Sequence, residues 1–125
     1  MTLTLLPFPF TVCQVKDVPS SLLREPFCFV GKTADELSLV CDTASVPADA
    51  AKREDGWRCF RLDGVFEFTL VGVLAPILDI LAKAKVGIFA VSTYNTDYVL
   101  IKEENLSAAR AALTKAGYEI KGAEA

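Results

Sequence analysis

The stretch GVLAPILDILAKAKVGIFAVSTYNTDYVLI, residues 72–101, constrains the fold more than any other part of this chain. Leu74, Ile77, Leu78 and Leu81 recur at spacings of three and four. That is the mark of a helix with one apolar stripe. The predicted helix covers residues 72–85. Pro76 falls in or near its first turn, where a missing N–H costs little. Asp79 and Lys83 form an i,i+4 pair in the favourable order. Lys83 and Lys85 complement the negative end of the dipole, and Gly87 is the expected stop. Two strands follow, over residues 88–93 and 98–102. The turn 94–97 joins them as a hairpin, with Asn95 suited to a positive φ.

A second helix is expected beyond residue 103, with Glu103, Glu104 and Asn105 at its start. Its stripe is Leu106, Ala109, Leu113 and Ala116, and Gly117 is a good terminator. Residues 118–121 make a last short strand. Ahead of Gly72, Phe66, Phe68 and Leu70 alternate with Glu67 and Thr69, the period of a half-buried strand. The second half therefore reads β-α-β-β-α-β. This is an α+β fold of ferredoxin-like type, an antiparallel four-stranded sheet with helices on one face.

The first half reads as a poorer copy of that order. Strands are expected over 8–15, 27–31, 36–41 and 57–62. A short helix ends near Arg24, and a weak one covers 45–52 with Ser45 as N-cap and Pro47 in its first turn. The polar stretch 53–56 ends it. The turn at Asp63-Gly64 is the expected boundary, so the chain divides into units 1–62 and 63–125.

Composition removes several function classes. The net charge is -3, and the 13 Lys and Arg residues are scattered. A nucleic-acid partner needs a basic face. The longest apolar run, 70–78, is broken by Gly72 and Pro76. It falls far short of the roughly 20 residues that span a bilayer. The N-terminus, MTLTLLPFPF, lacks the basic segment of a signal peptide, so a cytoplasmic protein is expected. The absence of histidine removes the commonest general base and most catalytic zinc sites. Cys13, Cys28, Cys41 and Cys59 form no CxxC pair and lie in apolar runs, so buried, inert thiols are expected. No metal and no cofactor are expected. Gly31-Lys32-Thr33 looks like the end of a phosphate-binding loop, but Pro26 stands where that loop needs a glycine. Arg58 and Arg61 are expected to face solvent along their strand.

Two places favour binding over catalysis. A glycine before the helix lets a ligand approach the first-turn N–H groups of Val73 and Leu74. Those orphan donors and the helix dipole suit a carboxylate. The plainer reading is that Gly72 only turns the chain. At the hairpin, Ser92, Thr93, Asn95, Thr96 and Asp97 gather five polar groups. A solvated turn explains them, and so does a site for an ammonium or guanidinium group. The two places together make a zwitterion site.

The same segment, with the KEENLSAARAALTKAGYEI that follows it, resembles the ACT domains of aspartate kinase. It is similar in particular to small ACT proteins related to the CASTOR arginine sensors. The likeness is good over about residues 57–121 and vague before that. It implies tandem ACT-type units, a diverged one in 1–62 and a full one in 63–125. It also implies a non-catalytic, regulatory protein that senses an amino acid, forms a homodimer and acts on a protein partner. An assembly module with an unused pocket is the alternative. By position, the resemblance implies ligand contacts at Val71, Gly72, Val73 and Leu74, and at Ser92, Thr93, Asn95, Thr96 and Asp97.

Overall fold

The computed structural model describes residues 1–64 and 72–122. The strand expected at 66–70 lies outside the described residues. In chain order the elements are β1 (Thr2–Leu5), β2 (Phe10–Gln14), β3 (Cys28–Lys32), β4 (Leu37–Asp42), β5 (Lys52–Leu62), α1 (Leu74–Lys83), β6 (Ile88–Ser92), β7 (Asp97–Lys102), α2 (Leu106–Lys115) and β8 (Glu119–Lys121). Short 3-10 turns lie at Ser20–Arg24, Thr43–Ser45 and Glu103–Asn105.

The chain forms two compact units. One is Phe8–Trp57; the other joins Met1–Pro7 to Arg58–Ala125. The junctions thus fall at residues 7/8 and 57/58, not at the turn after residue 62. The first unit is an insertion in the second. The reason is β1. Thr2 and Thr4 alternate with Leu3 and Leu5, and both leucines are buried. This strand runs antiparallel to β5, with Leu3 opposite Leu62 and Leu5 opposite Phe60.

In the larger unit the strand order is β6-β7-β5-β1-β8. The β1–β8 pair is parallel, a departure from the expected antiparallel sheet. A ferredoxin-like last strand runs against the first. Here β1 lies between them and is itself antiparallel to β5, so β8 meets β1 in the parallel sense. Leu3, Leu5, Phe60, Leu62, Val99 and Ile101 form one core cluster with Ile77 and Leu81 of α1 and Ala109 and Leu113 of α2. Sharing that cluster places both helices on one face, as expected. The α2 stripe stops one residue early, because Ala116 is exposed.

Both helices end in the same way. The amide of Tyr118 bonds the carbonyl of Leu113 at 3.0 Å, and that of Gly117 bonds Thr114 at 3.0 Å. Gly117 is the predicted terminator. In α1 the amide of Val86 bonds Leu81 at 2.9 Å and that of Lys85 bonds Ala82 at 3.0 Å. Each set is a Schellman motif. The left-handed residue of α1 is therefore Lys85, with φ 62°, and not Gly87. Asn95 does not take the expected positive φ; among the described residues Lys85 is the one non-glycine that does.

In the inserted unit the strand order is β3-β4-β2-β5. Its element order is strand, 3-10 turn, strand, strand, 3-10 turn, strand. The helix expected at 45–52 is absent. Asp42 caps a single turn by accepting from the amide of Ala44 at 3.0 Å. From Lys52 the chain is already β5, and the polar stretch taken as a terminator pairs with β2, Cys13 opposite Arg53 and Val12 opposite Glu54. The register then shifts, with Phe10 opposite Trp57. One extra residue is accommodated on β5 as a bulge, with Gly56 at φ +85°. The junction between the units falls just after it.

Lys85→Gly removes the left-handed strain of a side chain at a position that glycine fills freely. It should stabilise the protein by about 1 kcal/mol, read as a rise of a few degrees in Tm. An unchanged or lower Tm would contradict the assigned helix end.

Candidate functional site

The hairpin between β6 and β7 carries the best-defined polar cluster among the predicted site residues. Ser92 lies opposite Asp97 in the ladder, and Ala90 and Ile88 lie opposite Val99 and Ile101. Side chains alternate along a strand, so Asp97 shares a face with Val99 and Ile101. Those two belong to the core under the helices. Asp97 and Ser92 therefore stand on the side of the sheet that carries α1. The Ser92 hydroxyl donates to Asp97 Oδ1, which orients the carboxylate.

Two further hydroxyls are spent on the backbone. Thr93 Oγ1 donates to the carbonyl of Thr96 at 3.1 Å, and the Thr93 amide donates to the same oxygen at 2.9 Å. Thr96 is buried, and its Oγ1 donates to the carbonyl of Leu62 at 2.7 Å. This bond ties the hairpin to the end of β5. Thr96 is thus a latch within the fold, and Asn95 is exposed at the tip of the turn. Burial pushes the Tyr98 phenol upward.

α1 ends at Lys83 and β6 begins at Ile88. The helix accordingly runs back along the sheet, and its start lies toward the Ser92 end. Gly72 has φ +77°, and among the described residues, its chain neighbours apart, no atom lies within 4 Å of where its Cβ would stand. The backbone there disfavours any side chain. Val73 is the N-cap and makes no side-chain capping bond. Pro76 contributes no N–H, so the donors at this end are main-chain groups of residues 73–75. Val71 lies outside the described residues. Recesses occur elsewhere among the described residues. One of about 400 Å³ is lined by Pro19, Ser21, Leu22, Glu25, Ser45 and Pro47. One of about 210 Å³ is lined by Met1, Ala116, Gly117 and Tyr118.

Arg58 departs furthest from its expected place. It is 0% exposed. Residues 58, 60 and 62 share a face of β5, so Arg58 lies on the core face with Phe60 and Leu62. Residue 61 lies on the other face, and Arg61 pairs there with Asp63 at 3.4 Å. Arg58 Nη2 donates to the carbonyl of Leu6 at 3.1 Å. Its Nη1 stands 3.7 Å from Glu103 Oε1, and that carboxylate side chain is 57% exposed. Among the described residues, Nε and Nη1 have no hydrogen-bond partner. The clue available in the sequence was the spacing of three to Arg61, which puts one of the two arginines on the core side.

A family model for the ACT domain matches residues 52–115, from the start of β5 to the end of α2. The chain belongs to the ACT domain family. No curated protein matches it. Among solved structures, this ACT protein is similar to protein Atu0741 from Agrobacterium tumefaciens, with 27% identity and a TM-score of 0.87. The match covers 99% of this chain and 94% of that one. It is also similar in fold to the regulatory subunit of aspartate kinase from Thermus thermophilus in its ligand-free form, at 13% identity and TM-score 0.61, covering 92% and 97% of the two chains. Clostridium acetobutylicum aspartate kinase, an allosteric enzyme, matches at 14% identity and TM-score 0.62. There the match covers 86% of this chain and 32% of that one.

Thr96→Val keeps the shape of the latch and leaves the Leu62 carbonyl without its partner. The loss should be about 1–3 kcal/mol, measured by chemical denaturation. Wild-type stability in this variant would mean that the latch does not hold the hairpin.

Proposed function

We propose that this ACT protein is a non-catalytic regulator that binds a small amino acid at the Ser92 end of α1. The observation that carries this reading is the Asp97 carboxylate, oriented by Ser92 on the helix side of the sheet. An ammonium group would pair with Asp97. The ligand carboxylate would take the first-turn amides next to Gly72, with Val73 and Leu74 as the backbone wall and Thr93, Asn95 and Thr96 as the rim. Charge-assisted bonds of this kind are the strong ones, and an uncapped helix start needs no cationic side chain to hold an anion.

The order of 3-10 turns and strands in residues 8–57 supports reading that unit as a second, diverged ACT-like sandwich, so that the chain is a tandem. A cytoplasmic homodimer acting on a protein partner completes the proposal. The ligand would influence the partner by favouring one arrangement over another. A second reading, an assembly module with no ligand, draws support from Thr93 and Thr96, whose hydroxyls already serve the backbone.

Thermal unfolding against each proteinogenic amino acid separates the two. A ligand at 100 times its Kd adds about 2.7 kcal/mol if it binds only the native state, which appears as a shift of several degrees. Asp97→Asn keeps the shape and removes the charge, so affinity for that amino acid should drop at least about tenfold, or ~1.4 kcal/mol. A flat panel favours the assembly module. Undiminished affinity in folded Asp97→Asn places the ligand elsewhere. Gly72→Val is a poor substitute for this test, because a β-branched residue at φ +77° strains the backbone whatever the ligand does.

A further inference from the structure

We propose that Cys28 and Cys41 are a thiol-oxidation site that closes reversibly into a disulfide within the inserted unit. The two cysteines lie directly opposite one another on the antiparallel pair β3–β4. Directly opposed residues have Cα atoms about 4.5–5.5 Å apart, inside the range of about 4.4–6.8 Å that a disulfide spans. Opposed side chains also point to the same face. Here that face packs into a cluster with Cys13, Leu22 and Leu39. Cys13 lies opposite Leu39 on β2, one step along from Cys41. Such diagonal neighbours are about 7–8 Å apart, so Cys28 is the better-placed partner.

The two thiols differ in access. Cys41 is fully buried, whereas Cys28 is partly exposed. Oxidised glutathione, or another small disulfide, supplies the oxidising equivalents. The Cys28 thiolate attacks one sulfur of that disulfide and releases one small thiol. The Cys41 thiolate then attacks Cys28 Sγ in the mixed disulfide and releases the second. The protein gives up two electrons and two protons, and the small disulfide is reduced to two thiols. Burial pushes the Cys28 thiol up, and Cys41 is pushed up to about 12 by burial and then by the neighbouring Cys13 and Cys28. Exchange requires thiolate, so closure is slow at neutral pH and quickens as pH rises. The second step is helped by proximity, since its partners are already held side by side.

The product staples β3 to β4. Among the described residues β3 pairs with β4 alone, and Val30 on it is 44% exposed. Closing the segment between Cys28 and Cys41 restrains the unfolded chain and fixes this edge. The oxidation state would then set the stiffness of the inserted unit.

The test treats the folded, full-length protein with oxidised glutathione at pH 8.5. The expected product has lost two hydrogen atoms by intact mass, and a non-reducing peptide map joins Cys28 to Cys41. Dithiothreitol reverses it, and the oxidised form unfolds several degrees higher. Cys28→Ser abolishes the product and Cys13→Ser retains it. The wild-type map stands by itself if a variant folds poorly. A persistent single glutathione adduct on Cys28, a Cys13–Cys41 link, or no product from folded protein would each overturn the proposal.

Discussion

The seating of β1 between β5 and β8 is the constraint on which the larger unit depends. Four residues at the N-terminus supply Leu3 and Leu5 to the core shared by α1 and α2. Their partners on β5 lie beyond the whole inserted unit in sequence. Closing such a loop costs entropy, though the cost grows only slowly with length. It is offset by burying two leucines, each worth about 1.5–3 kcal/mol by transfer. The insertion has its own core around Leu22, Leu39 and Cys41, so most of the chain between β1 and β5 is itself folded structure and not a loose loop. Non-local pairing of this kind also slows folding relative to a local meander.

Polar groups in the larger unit divide into those that hold the fold and those whose bonds lie only between side chains. Thr96 and Thr93 belong to the first kind, since their hydroxyls satisfy carbonyls at the end of β5 and in the turn. Ser92 and Asp97 form a pair that the backbone does not require. Arg58 belongs to neither kind. A fully buried guanidinium with one backbone acceptor and a loose, half-exposed counter-ion carries a desolvation cost of several kcal/mol. The protein tolerates it within the core face of β5, where Phe60 and Leu62 are its apolar neighbours along the strand.

What could be read from the sequence was what depends on local period. The stripes of α1 and α2 emerge because a helix must repeat every 3.6 residues to bury one face, and α1 appears within two residues of its expected bounds. The β6–β7 hairpin emerges from two apolar runs and a polar turn. β1 was equally periodic, Thr-Leu-Thr-Leu, but too short to stand out from the prolines after it. The first half of β5 was misread because its four residues before Gly56, Lys52–Asp55, are all charged and exposed. Lys52–Asp55 is a strand because β2 offers it a ladder, and polarity alone carries no sign of that.

The sequence by itself determined the helix–strand–strand–helix order after Gly72, the ACT resemblance and the polar character of the hairpin. Each follows from side-chain period and type over a short window. The tertiary structure alone decided that residues 1–7 belong with residues after 57, that β8 meets a parallel neighbour, and that Arg58 is inside. It also decided that Lys85, and not Gly87, takes the left-handed turn. Those outcomes turn on which distant segment completes a ladder, or on which carbonyl a given amide can reach. No window of neighbouring residues contains that information.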